Sequence, residues 1–413
     1  MKKSLALLAA AGLLACGRND APVAANGPPL GPYRAVLQAA GGDLPFGLEL
    51  AREDGATVAY LINGAERARV PDVRLDGNRL SMQMPGYPHR LKARFVDGQF
   101  EGSVEFLRPG GVIKSVRLVA VPGRSYRFFP KPATNPLDFA GRWALIFRDD
   151  EGQERPAIAE LSQHGHEVTG TVLRPSGDDR YLAGEIRGDT LFLSRFDGGS
   201  AYLYLARLGS DGTLAGEFHT AGGHHESWSG RRDPDAQLED PAGMSGLKPG
   251  VDRLEFSFPG LDGIPVSYPG ERFSGKVVLV TIGGSWCPNC HDEAVFLRDL
   301  LAGRRSQGLE VIQLMFEHTP DFASAAGAAR AFAQKFAIDY PVLIAGTTSD
   351  DDVLKKLPQL AVLNAYPTLF IIDRGGRIRA SHTGFSGPAT GSHYEQQSRE
   401  LTALVDGLLG EKG

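Results

Sequence analysis

The pentapeptide Trp286-Cys287-Pro288-Asn289-Cys290 constrains this chain more than any other stretch. Two cysteines at this spacing can close a small ring as a disulfide and reopen it. The apolar, β-branched run Val277 to Ile282 precedes them and reads as a buried strand. After them, Cys290, Ala294, Leu297 and Leu301 fall on one helical face. The pair therefore sits on a strand-to-helix turn, with Cys287 at the helix start. Unpaired backbone N–H groups and the positive end of the helix dipole favour a thiolate there. The thiolate is the attacking species in disulfide exchange, so Cys287 reads as the nucleophile and Cys290 as the resolving thiol of a redox-active disulfide.

Rival chemistries fit less well. A structural zinc site needs about four ligands, and there is no second CxxC. His291 follows Cys290, so the string also matches CxxCH, the attachment pattern of c-type haem. The buried strand before the motif and the strand-strand-helix ending after it favour the dithiol. A peroxidatic cysteine would lie in a Pro- and Thr-rich loop, which is absent. The reaction requires no cofactor, and no metal site is expected.

Length allows two or three domains, and the formal net charge of −5 gives no sign of a nucleic-acid partner. At the N-terminus, Lys2 and Lys3 precede an apolar run from Leu5 to Leu14. The run reads as a secretory signal, too short for a permanent span. Its ending, Leu13-Leu14-Ala15-Cys16, resembles a bacterial lipobox. That resemblance implies lipidation of Cys16 after removal of the preceding residues, and hence membrane contact through a lipid anchor. Gly17 follows in place of the Asp that favours inner-membrane retention in such lipoproteins, so a periplasm-facing anchor in the outer membrane is expected. Residues 17–32 read as a flexible tether. With Cys16 acylated, only Cys287 and Cys290 of the three cysteines can pair.

Residues 33–232 read as all β, short alternating runs cut by Gly, Asp-Gly and Pro-Gly turns. An internal repeat runs through them at an offset of about 110 residues. Val73 to Leu80 matches Gly184 to Leu191, and Asp97 to Gly102 matches Asp211 to Gly216. Tyr33 answers to Trp143, and Pro45 to Pro156. Two copies, 33–130 and 137–232, each hold enough strands for a small meander barrel or sandwich; the pattern leaves open whether they form two barrels or one fused structure. His219, His224 and His225 cluster near Trp228 in a Gly-rich loop; a metal site is conceivable, but beyond the adjacent Glu226 no carboxylate pattern supports it, and they read as solvated loop histidines. Residues 233–250 read as a linker.

From Val251 to the C-terminus strands and helices alternate, giving a mixed sheet covered on both sides. This segment resembles the TlpA/ResA-like thiol–disulfide oxidoreductases of the thioredoxin superfamily. The resemblance rests on Ser285 to Cys290, Glu293, the run Tyr366-Pro367-Thr368-Leu369-Phe370, and Thr383-Gly384. It implies an α/β thioredoxin-like domain behind the β repeats. It further implies a cis Pro367 packed against the disulfide and a catalytic role for Cys287, Cys290, Glu293 and Pro367. Trp286, Tyr366 and Thr368 would contact substrate. Glu293 is either a proton acceptor for Cys290 or an exposed first-turn acid favouring the helix dipole. The implied partners are disulfide-containing proteins and a membrane electron donor. Two departures stand out. Gly283-Gly284 occupies the place of a bulky residue and is expected to loosen packing, and Pro288-Asn289 replaces thioredoxin's Gly-Pro, so no potential carries over. A non-enzymatic lipoprotein that binds through its β domains is the rival from another functional class.

Overall fold

The computed structural model describes residues 27–70, 72–238 and 244–411. The signal segment and Cys16 lie outside them. Among the described residues no helix is long and apolar enough to cross a membrane.

The first sheet holds β1 (Gly31–Ala39), β2 (Gly42–Glu53), β3 (Ala56–Asn63), β4 (Glu66–Val70), β5 (Val73–Asp76), β6 (Arg79–Gln83), β7 (Arg90–Val96), β8 (Gln99–Arg108) and β9 (Val112–Pro122). The second holds β10 (Gly141–Arg148), β11 (Glu154–His164), β12 (Glu167–Arg174), β13 (Gly177–Asp178), β14 (Leu182–Arg187), β15 (Thr190–Phe196), β16 (Ala201–Leu208), β17 (Thr213–Thr220) and β18 (His225–Arg232). The period-2 pattern drives both. In β6, for example, Leu80 and Met82 point inward and their neighbours point out. The turns obey the same logic. Asp97 (φ 49°) and Gly98 (φ 82°) close the β7–β8 hairpin with two positive φ values, the twist such hairpins prefer.

The copies differ in closure. In the second, β11 pairs with both β10 and β12, and β10 also pairs with β18, so eight strands close a barrel with β13 as a spur. In the first, the order runs β4-β3-β2-β1-β9-β8-β7-β6-β5, and no β4–β5 pairing exists among the described residues. The repeat partners are superposable in register: Val36 faces Pro45 as Ile146 faces Pro156. There are thus two barrel-like units, and they share a core. Phe196, Ala201 and Leu203, on the outside of the second barrel, pack into the apolar cluster of the first. Glu185 of β14 adds a strap, accepting backbone N–H bonds from Arg127, Phe128 and Phe129.

The histidine reading needs correction. His219 lies on β17 and His225 on β18, and only His224 belongs to the connecting turn. That turn spans just three residues between the bonded pair Thr220 and His224, so the Gly222-Gly223 signal covers less chain than its composition suggests.

The C-terminal region contains β19 (Ser245–Leu247), β20 (Phe256–Pro259), β21 (Pro265–Tyr268), β22 (Val277–Gly283), α1 (Pro288–Ala302), β23 (Leu309–Glu317), α2 (Phe322–Lys335), β24 (Val342–Thr347), α3 (Asp350–Lys356), β25 (Leu360–Leu363), β26 (Thr368–Ile372), β27 (Ile378–Thr383) and α4 (Ser392–Gly410). Its five-stranded sheet has the order β24-β23-β22-β26-β27. β22 is parallel to β23 and antiparallel to β26, and all seven of its residues are buried. Helices α1, α2 and α4 pack on one face. The β20–β21 hairpin and α3 pack on the other. β19, within the expected linker, instead pairs with β25 and extends this region toward the N-terminus.

Candidate active site

β22 delivers the chain to the site, and α1 carries it away. Cys287 is the N-cap of α1, with Pro288 at the first helical position, where a missing N–H costs nothing. Its Sγ accepts a hydrogen bond from the Cys290 backbone N–H at 3.2 Å. Cys287 and Cys290 are joined as a disulfide. Both are buried, at 3% and 1% exposure. The Tyr366–Pro367 peptide is cis, and the Tyr366 carbonyl oxygen lies 3.5 Å from Cys287 Sγ. Trp286 donates its indole N–H to the Phe316 carbonyl at 2.9 Å, stacks on His318 at 4.7 Å and meets Tyr366 edge-on at 5.2 Å.

Glu293 stands one helical turn beyond Cys290, on the same face. It is buried, not an exposed first-turn acid. Thr281 donates its hydroxyl to Glu293 Oε2 at 2.5 Å, while Oε1 has no partner among the described residues. Burial pushes the carboxyl up to about 8, opposed by the Thr281 bond. A protonated carboxyl therefore lies one helical turn from Cys290 near neutral pH. Glu317 is a second buried acid, raised to about 7 by burial; it accepts the Ser285 N–H at 2.9 Å and the Ser285 hydroxyl at 2.8 Å, fixing the residue before Trp286.

Residues 248–397 match the Redoxin family model. The C-terminal domain is a TlpA/ResA-like redoxin of the thioredoxin superfamily. The chain is 26% identical over 117 residues to the thiol-disulfide oxidoreductase ResA of Geobacillus kaustophilus, covering 27% of this chain and 57% of that relative. It is 24% identical over 132 residues to ResA of Bacillus thuringiensis subsp. konkukian, covering 32% and 67%. The thioredoxin-like protein YneN of Bacillus subtilis matches at 27% over 141 residues, covering 34% and 74%. The chain thus spans little more than half the length of the first of these relatives. A thioredoxin-family thiol:disulfide interchange protein of Chlorobium tepidum matches in structure at 18% identity and a TM-score of 0.30, covering 40% of this chain and all of that one.

Within the redoxin domain, two expectations change. Thr368 is fully buried and turns its hydroxyl onto the Ala365 carbonyl at 2.9 Å, so its side chain does not face a substrate. Gly283-Gly284 tightens the packing. A Cβ on Gly283 would sit 3.0 Å from Cys290 Sγ, and one on Gly284 would overlap the Trp286 ring and approach the Phe316 carbonyl at 2.7 Å. These glycines let strand, sulfur and indole come together.

His291 does not present itself as a haem ligand. Its Nε2–H donates to the Ser285 carbonyl at 2.9 Å, Lys335 approaches Nδ1 at 3.2 Å, and its ring stacks on Tyr87 of the first barrel at 4.0 Å. Burial and Lys335 hold its pKa well below the usual histidine range.

Sequence reasoning missed how closely the barrels grip this redoxin turn. Asn289 donates to the Asp178 carbonyl at 3.2 Å and to its carboxylate at 3.1 Å. Asp178 also accepts the Gly387 N–H at 2.6 Å. Arg180, held at φ 57°, donates to the Pro288 carbonyl at 3.1 Å and pairs with Asp292 at 3.2 Å and Glu66 at 2.8 Å. One buried guanidinium thus joins both barrels to the first turn of α1. Lys335 binds the Pro85 carbonyl of the first barrel at 3.0 Å, and the Gly111 N–H reaches the His318 carbonyl at 2.8 Å. A cavity of about 380 Å³, lined by Arg155, Arg174, Asp179 and Glu226, opens onto Pro288 and Asn289. No local spacing in the sequence could reveal these pairs, because more than 100 residues separate Arg180 from Pro288.

Proposed function

We propose that the chain is an extracytoplasmic thiol–disulfide oxidoreductase that reduces protein disulfides through Cys287 and Cys290. The observation that carries this reading is the arrangement of a disulfide at the N-terminus of α1 with, one helical turn on, a buried carboxyl oxygen of Glu293 that has no partner among the described residues. In the reduced form the Cys287 thiolate attacks one sulfur of a substrate disulfide. A new S–S bond forms, and the other substrate sulfur leaves as a thiolate. Glu293 in its carboxylate form, the minor form near neutral pH, takes the proton of Cys290. The Cys290 thiolate then attacks Cys287 Sγ and releases the second substrate sulfur. Two electrons pass to the substrate, and the Cys287–Cys290 disulfide returns. Pro367 and Tyr366 border Cys287 and offer backbone groups to an incoming chain, and Trp286 packs beside Tyr366.

The lipobox-like segment supports anchoring through Cys16 to the periplasmic side of the outer membrane. Reduction in an oxidising compartment then requires a membrane electron donor. Loss of labelled fatty acid in Cys16→Ser tests the anchor; equal labelling of the variant would refute it. The rival in which the barrels bind a ligand independently of the redox centre has less support, because both barrels contact the first turn of α1.

Two measurements test the function. Cys290→Ala should accumulate mixed disulfides with substrate proteins, and the absence of trapped species would refute the mechanism. Equilibration of the wild-type couple with glutathione or dithiothreitol should give a potential near or below about −270 mV, whereas one near about −120 mV would make the protein a disulfide donor.

A further inference from the structure

The outer face of the second barrel carries a donor cluster with no part in the redox site. In the β17–β18 ladder His219 lies directly opposite His225. The Thr220 N–H bonds to the His224 carbonyl at 2.9 Å, which makes that neighbouring pair the hydrogen-bonded one. His219 and His225 therefore form a non-hydrogen-bonded pair, in which Cα atoms approach to about 4.5 Å and side chains stand closest. Their rings stack with centroids 4.8 Å apart. Glu217, two residues before His219 and on the same face, places Oε2 2.6 Å from His225 Nε2. One donor atom from each of the three residues lies within 4.8 Å of the others. Asp150 adds a carboxylate 3.3 Å from His225 Nδ1. The His219 side chain makes no hydrogen bond among the described residues, and its ring rests against Gly41 in the β1–β2 turn, where a Cβ would overlap it.

We propose that Glu217, His219 and His225 form a binding site for a divalent transition-metal ion, zinc or copper(II), at the seam between the barrels. Imidazole nitrogen suits both ions, and two imidazoles with one carboxylate hold zinc while leaving a coordination position open. Asp150, on the Nδ1 side of the His225 ring, is placed to accept that nitrogen's N–H and orient the ring while Nε2 holds the ion. The cross-strand pairing fixes the backbone, so side-chain rotations alone converge the donors. The ion takes the place of the contact now made between His225 and Glu217. The Gly41 turn keeps the far face of His219 fixed and excludes any larger residue there.

The test uses the full chain with its disulfide kept oxidised, so that no thiolate competes for metal. Titration with zinc chloride, and separately with copper(II) chloride, is followed by calorimetry. One equivalent should bind in the wild type. His219→Ala and His225→Ala should each weaken binding at least roughly tenfold, the least expected for losing a direct ligand. His224→Ala should bind as the wild type does, since its Nε2 faces Glu226 at 3.6 Å on another side of the strand. Thermal melts of the metal-free variants establish that each is folded. Absence of saturable binding with either ion, unchanged affinity in folded His225→Ala, or equal loss in His224→Ala would each overturn the proposal.

Discussion

Glu293 governs the pH behaviour of the site. Its carboxyl sits at about 8 in the folded chain because burial disfavours the anion, against 4.5 when free. The folded state therefore holds a proton that the unfolded state has released between those values, and stability falls as pH rises through that window. Glu293→Gln keeps the shape and removes the titration. Its stability relative to wild type, read from denaturant melts of the oxidised proteins, should rise from pH 4.5 to about 8 and then level off. A difference independent of pH would refute the raised carboxyl. The same variant should slow turnover at neutral pH by roughly 100-fold, the usual contribution of general acid–base catalysis, and flatten the pH–rate profile near 8. Residues at this scale were partly legible. The cysteines follow from the motif and Glu293 from the family resemblance, but the environment of Oε1 comes from the surrounding strand and Thr281, which neither reveals.

At the level of elements, the strand–turn–helix unit depends on what is missing from it. Gly284→Ala places a methyl against the Trp286 ring and the Phe316 carbonyl. The expected cost is about 1–3 kcal/mol in urea melts, as for other overpacked sites. Stability equal to wild type would show that Trp286 moves away freely. The sequence pointed to looser packing here because glycine was read as lost volume; the structure uses it for close approach. Longer elements were readable from periodicity, as were the Asp-Gly hairpins. The short strands β4, β13 and β19 were not, since three- to five-residue or shorter strands carry too little alternation and owe their pairing to distant chain. The same limit misplaced His219 and His225, whose strand positions depend on a turn of only three residues.

For the whole molecule, the β region is an integral cover of the redox turn. Arg180→Met removes the cation from between Glu66, Asp292 and Asp197. Breaking one side of a buried pair costs about 3–5 kcal/mol, so the variant should melt lower and undock the second barrel from α1. Reduced Cys287 should then react faster with iodoacetamide; an unchanged alkylation rate together with an unchanged melting temperature would show that Arg180 does not hold the two together. None of this was legible beforehand, for the repeat revealed two similar units without revealing where they rest. Asn289 makes the consequence concrete. It lies inside the CxxC loop and also bonds Asp178 across the junction. An engineer who exchanges this dipeptide to retune the electrochemistry of the couple also alters a contact between modules, so voltage and architecture in this chain cannot be adjusted independently.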